Sequence, residues 1–207
     1  MISTSFKHLV AATAHVHRLV RAQLVIEGGL AHAQTQILGS ARLAGLLMFR
    51  SFRVDSSALA PGMRLCSEEA VRHGARLRDM LLGTLRQLGH ELSLDALDER
   101  CNTASLSRLA FVEVHERLTQ PMLAYLERSP MNMQDAAMAA AAASAGLIHD
   151  HAPAMAPCQA AALACFGFEE GLTTVPWPLG PSWTQSLPSL LTDPLGGPMH
   201  AHIRTMS

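Results

Sequence analysis

The residues from Ala136 to Ala145 are almost all alanine, and this run restricts the fold more than any other part of the chain. Alanine is the best helix former because it loses no rotamer freedom in a helix. Asn132 is a suitable N-cap, and Asp135 is placed favourably against the positive end of the helix dipole. A helix without large side chains lets its neighbours approach closely. Its burial must therefore depend on larger side chains supplied by other helices.

A second alanine-rich helix is predicted to follow. Pro157 suits the first position of a helix, where its missing amide is not needed, and Gly171 is expected to end it. Pro153 and Pro157 separate the two helices by a short break. We therefore predict a central helical hairpin over Met131–Gly171. The alanine run is shorter than the roughly 20 residues that a membrane span requires.

The composition favours helix throughout the chain. Hydrophobic residues make up 49% of the 207 residues, but aromatic residues only 4%, and strands are normally rich in β-branched and aromatic residues. We predict an all-α, single-domain helical bundle of about six to seven helices. Before the hairpin, the predicted helices span about 5–27, 30–53, 67–89, 93–100 and 105–128.

The character of the sequence changes after Gly171, where most of the prolines and both tryptophans lie. No helical or strand period is visible there. We therefore predict a helical domain over 1–171 and an extended, proline-rich C-terminal arm over 172–207. Trp177 and Trp183 are expected to act as anchors, either on a partner or on the body of the same chain.

Charge is spread unevenly along the chain. The net charge is −1, which argues against nucleic-acid binding by the whole protein. Up to Arg53, however, six basic residues stand against the single acid Glu27. Arg18 and Arg21 in the first helix are therefore candidates for partner binding, and a basic amphipathic helix can also dock on anionic lipid. The interpretation we favour is that this segment faces acidic groups of its own fold or of a second subunit.

The four cysteines have no spacing typical of a disulfide framework. No secretory signal is recognisable, because His15, His17 and Arg18 interrupt what would be its apolar region. We predict reduced thiols in a cytoplasmic protein.

A metal site is one hypothesis for the histidines. His149 and His151 lie where a helix is expected to end, and an extended backbone there could direct both rings to one side, with Cys158 nearby. The alternative is that all three are ordinary polar or buried side chains. Glu113, His115 and Glu116 lack the spacing of the di-metal carboxylate bundles.

No motif of a nucleophile elbow, a phosphate-binding loop or a dinucleotide fold is present. Three features together, the alanine-lined helices suited to close packing, the basic amphipathic N-terminus and the tryptophan-bearing arm, lead us to expect a non-enzymatic adaptor, chaperone-like or scaffold protein without a cofactor. It would self-associate, with a dimer favoured, or bind a protein partner. The alternative is a small-molecule- or metal-binding bundle, and even an enzyme, with its site at His149, His151 and Cys158 or beside His115. Peripheral membrane contact through the first helix is a further, less favoured alternative.

Overall fold

The computed structural model describes residues 4–52, 59–92 and 106–177. Within these ranges the chain forms an all-α bundle, as predicted. Its helices are α1 (Thr4–Gln23), α2 (Ala33–Arg50), α3 (Glu68–Gln87), α4 (Phe111–Leu126), α5 (Met133–Asp150) and α6 (Pro157–Thr173). The helix predicted over 93–100 lies outside the described residues. No helix in the described part is both long and apolar enough to cross a bilayer.

The starts of α3, α5 and α6 follow the local signals in the sequence, whereas the helix predicted from residue 105 begins only at Phe111. Ser67 caps α3 by accepting a hydrogen bond from the amide of Ala70 at 3.1 Å. Asn132 caps α5 by accepting one from the amide of Asp135 at 2.8 Å, and Pro157 begins α6. The side chains of Ser67 and Asn132 satisfy amides that have no partner inside the helix, and Pro157 has no amide hydrogen that would need one.

The ends of two helices differ from the prediction. The first helix ends at Gln23 rather than near residue 27, and a single 3₁₀ turn follows over Glu27–Gly29. The last helix continues through Gly171 to Thr173. Gly171 does not act as a helix terminator because it lies in a helix–helix contact, where packing outweighs the low helix propensity of glycine.

The centre of the bundle is α2. Its residues from Thr35 to Phe49 are all buried. The two alanine-rich helices lie where they were predicted, but α6 and α5 pack mainly on α2 and have only a small contact with each other. The hairpin helices are therefore joined through α2, whose long run of small and aliphatic residues is suited to burial on all sides.

Glycines bring α2 and α6 into backbone contact. A Cβ atom on Gly45 would lie 2.5 Å from the carbonyl oxygen of Phe168 and 2.8 Å from Cα of Gly171. A Cβ on Gly171 would in turn lie 2.5 Å from the carbonyl oxygen of Arg42. Gly45 on α2 thus faces Gly171 on α6, and neither helix has room for a side chain at this point.

A buried ion pair lies in the same contact. Nε of Arg42 donates to Oε2 of Glu170 at 2.6 Å, and its Nη1 donates to the carbonyl oxygen of Leu109 at 3.2 Å. The guanidinium also lies over the ring of Phe111, 5.5 Å from the centroid. Arg42 is only 3% exposed, so its charge depends on these partners.

The segment after α6 is attached to the body. Thr174 forms an antiparallel bridge with Arg64, and the amide of Val175 donates to the carbonyl oxygen of Met63 at 2.8 Å. The compact unit extends to Trp177, beyond the predicted domain boundary at Gly171. Residues 178–207, the rest of the predicted arm, lie outside the described part.

Candidate binding groove

A groove of about 890 Å³ runs between α1 and α3, with α5 as its floor. Both α1 and α3 pack on α5, but they have little contact with each other. Each helix contributes residues spaced three and four apart, which place one face of that helix on the groove. They are Phe6, Leu9, Val10, Thr13, Ala14, His17 and Arg18 from α1, Arg76, Asp79, Met80, Gly83, Thr84 and Gln87 from α3, and Met138, Ala142, Ala143 and Gly146 from α5.

The floor and walls of the groove are largely apolar. On the floor, α5 contributes Met138 and three small residues, Ala142, Ala143 and Gly146. On the α1 wall, Phe6 is 55% exposed and Val10 is 50% exposed. Two large apolar side chains that lie one helical turn apart and face an open groove mark a surface suited to binding.

The charged groups of the groove lie along both walls. Arg18 comes from α1, and Arg76 and Asp79 come from α3. Neither arginine has a carboxylate within ion-pair distance in the described ranges, where the ion pairs are His17–Asp150, Arg21–Asp150 and Arg42–Glu170. Arg18 and Arg76 are therefore available to an anionic group of a ligand.

The predicted partner-binding residues Arg18 and Arg21 differ in their surroundings. Arg18 lines the groove. Nη1 of Arg21 instead donates to Oδ2 of Asp150 at 3.1 Å, and Nε2 of His17 lies 3.0 Å from the same oxygen. Part of the basic charge of α1 thus faces an acid of its own fold, which is one of the two arrangements that the sequence left open.

The histidines of the predicted metal site have separate neighbours. Nδ1 of His149 lies 2.9 Å from Nε2 of His90, so one ring donates to the other. Nε2 of His151 lies 3.0 Å from Oε1 of Gln36, and burial lowers the pKa of His151. Among the described residues, no three His, Cys, Asp or Glu side chains come together in a group able to hold a metal ion. The metal site involving Cys158, which lies in the first turn of α6, stays a prediction.

Trp177 packs on the body of its own chain. Its ring lies 5.9 Å from that of His115 and 6.0 Å from that of Phe111, measured between centroids. Its carbonyl oxygen accepts a hydrogen bond from Nη2 of Arg50 at 3.2 Å. Trp177 therefore anchors the end of the compact unit, whereas Trp183 lies outside the described residues.

His115 is buried beneath this tryptophan and is only 1% exposed. Burial, and then the charge of Arg50, lower its pKa to about 4. Nη2 of Arg50 lies 3.5 Å from its Nε2, whereas its Nδ1 has no hydrogen-bond partner in the described part of the chain. The ring is neutral at pH 7, because a charged imidazole would be buried beside a guanidinium.

The groove was not predicted from the sequence, although one signal for it was present. The buried stripe of α1 consists of Ala12, Val16 and Val20, and Phe6 and Val10 lie outside that stripe. Large apolar residues on a second face of an amphipathic helix indicate a second contact surface. The separation between α1 and α3 could not be predicted from the sequence of either helix alone.

No protein-family model, curated protein or solved structure matches this chain. The functional interpretation of the groove therefore depends on its geometry and chemistry.

Proposed function

We propose that the protein is a non-enzymatic interaction protein that holds a helix of a protein partner in the groove between α1 and α3. The observation that carries this proposal is the apolar groove itself, with Phe6 and Val10 half exposed on its wall. Amphipathic helices bind in such grooves by placing side chains at positions i, i+3, i+4 and i+7 into them. The partner is another protein or a second copy of this chain.

The dimensions of the groove suit a helix. On α1 its lining extends from Phe6 to Arg18, which is about 18 Å of helix at 1.5 Å per residue. That length accommodates three turns of a bound helix.

The hydroxyl groups of the groove support a binding rather than a catalytic role. Oγ1 of Thr13 donates to the carbonyl oxygen of Leu9 at 2.9 Å, and Oγ1 of Thr84 donates to that of Met80 at 2.8 Å. Both hydroxyls are bonded to the preceding turn of their own helix. Neither is paired with a general base, which an activated nucleophile would require.

Site-specific photocrosslinking in cells of the organism that naturally makes the protein tests the proposal. A photoreactive phenylalanine analogue replaces Val10, and the matched control carries it at Val71, which is 77% exposed but does not line the groove. We expect the Val10 position to crosslink to one discrete protein and the Val71 position not to do so. Equal labelling at both positions, or none at Val10, would contradict the proposal.

A second variant connects the crosslink with the groove. Gly83 lines the groove, and a Cβ there would have no heavy atom within 4 Å, so Gly83→Leu is chosen to place a side chain in the groove. We expect this variant to lose the crosslink, whereas Gly83→Ala keeps it.

A small apolar ligand is the second candidate. The volume of about 890 Å³ lies within the range of about 300–1,000 Å³ that is usual for small-molecule sites. Native mass spectrometry of the purified protein distinguishes the two candidates. A bound species of small mass that disappears in Gly83→Leu, with no protein crosslink at Val10, would favour the ligand.

A further inference from the structure

The charge of the groove restricts the helix that can occupy it. The α1 wall has no acidic residue at all, because Lys7, Arg18 and Arg21 are the charged residues in Thr4–Gln23. The opposite wall adds Arg76, and Asp79 is the only carboxylate among the residues that line the groove. An incoming helix therefore meets a basic side chain on each wall.

These two arginines are not neutralised by the fold. Arg18 and Arg76 form no ion pair with any described residue. Nη1 of Arg76 lies 3.3 Å from Nδ1 of His73, which is a neutral or basic group rather than a carboxylate. By contrast, Arg21 and Arg42 have carboxylate partners within the chain. Other described arginines also lack a carboxylate partner, and what sets Arg18 and Arg76 apart is their position on the two walls of the groove.

We infer that the groove selects an amphipathic helix whose apolar face is flanked by acidic side chains. This inference rests on the proposed function and adds the chemistry of the partner. Leucine, methionine or similar side chains of that helix fill the apolar groove between α1 and α3. Glutamate or aspartate residues beside them pair with Arg18 on one wall and Arg76 on the other.

The same charges disfavour a second copy of the chain as the occupant. Among the six described helices, α1 is the one that presents neighbouring exposed large apolar residues, Phe6 and Val10. Docking α1 of one copy into the groove of another would bring Lys7 and Arg18 towards Arg18 and Arg76. Like charges placed together across an interface suppress that pairing.

Two helical peptides of about 18 residues test the inference, since such a peptide is about 27 Å long and spans the groove. Both have the same leucine face, and one has glutamates and the other lysines at the flanking positions. Fluorescence anisotropy at low salt gives the dissociation constants. We expect the glutamate peptide to bind the intact protein at least about tenfold more tightly than the lysine peptide, with the ratio falling as salt screens the pairs.

Variants of the protein locate the effect. Arg18→Glu combined with Arg76→Glu should reverse the preference between the peptides, and Arg86→Glu is the matched control because Arg86 lies on α3 but does not line the groove. Gly83→Leu should weaken both peptides. Unchanged circular dichroism shows that each variant is folded.

Several outcomes would overturn the inference. These are equal binding of the two peptides, binding of neither, or a preference that persists in the double variant. Two further outcomes would overturn it by identifying another occupant. If neither peptide binds but oleate does, and Gly83→Leu abolishes oleate binding, the occupant is an apolar small molecule. If sedimentation equilibrium shows dimers that Gly83→Leu dissociates, the occupant is a second copy of the chain. If a crosslinked protein is still captured at Val10 while the peptides bind equally, the proposed function stands and only the acidic character of the partner is wrong.

Discussion

The contact between α2 and α6 and the groove between α1 and α3 use the same small residues for opposite purposes. In the first, Gly45 and Gly171 let two backbones touch. In the second, Ala142 and Gly146 form the floor of an open space. The difference lies in the neighbours: α6 lies directly on α2, whereas α1 and α3 both pack on α5 but have little contact with each other. Small residues thus set how near a neighbour can come, and the placement of the neighbours decides whether the space is filled.

The largest effect is expected from the Arg42–Glu170 ion pair, which lies in the contact between α2 and α6, called the closed contact below. Glu170→Ala leaves the charge of Arg42 buried without its carboxylate, and breaking such a pair costs about 3–5 kcal/mol. Urea unfolding followed by circular dichroism measures the loss. The double variant Arg42→Met with Glu170→Leu should recover much of it, because apolar replacement of a buried pair is often nearly neutral. A loss below about 1 kcal/mol for Glu170→Ala would show that the pair is solvated.

Acid should lower the free energy of unfolding through His115, which is buried beneath Trp177. The pKa of His115 is about 4 in the folded protein and about 6.5 in the unfolded chain. The unfolded state therefore takes up a proton that the folded state does not, and stability falls as the pH drops from about 6.5 to 4. The expected loss from this residue is about 2–3 kcal/mol.

The free energy of unfolding at pH 7 and at pH 4.5 measures this effect, with His115→Gln as the control for all other titrating groups. The variant should show a smaller loss than the original chain. Parallel pH profiles of the two proteins would contradict the assignment.

Gly45→Ala adds a single methyl group to the closed contact. Its Cβ would lie 2.5 Å from the carbonyl oxygen of Phe168, and because that atom belongs to a helix backbone, it cannot move aside alone. Overpacking of this kind costs about 1–3 kcal/mol. Thermal unfolding checks it, and an unchanged midpoint would show that α2 and α6 are free to separate.

Gly83→Ala is the matching change in the open groove, and here the sign reverses. No heavy atom lies within 4 Å of the added Cβ, so only the backbone effect remains. Alanine in place of glycine inside a helix stabilises by about 0.5–1 kcal/mol. A destabilisation measured in the same thermal experiment would indicate that the groove is closed in solution.

Much of the bundle could be predicted because its signals are local. The caps Ser67 and Asn132, the proline at position 157 and the alanine run each act within one or two turns, and the structure has them as predicted. Gly171 was misinterpreted because a glycine near a helix end looks the same whether it stops the helix or packs against another one. Only the position of Gly45 on a distant helix distinguishes the two cases.

The candidate site was harder to predict for the same reason. A groove is a distance between helices, and no residue on α1 or α3 encodes that distance by itself. His149 and His151 are close in sequence, yet the structure pairs one with His90 on another segment and the other with Gln36. Their closeness in sequence gave no indication of these two separate neighbours.

The central position of α2 has a consequence for biosynthesis. Ser40 meets Ala140, and Arg42 meets Glu170, across separations of 100 and 128 residues. During translation α2 leaves the ribosome long before the helices that cover it, at about 5–20 residues per second. For several seconds its aliphatic surface lacks the two helices that contribute most of its native contacts, and contacts of such long range form slowly. We expect the nascent chain to bind chaperones through α2 and to release them only once α6 has emerged.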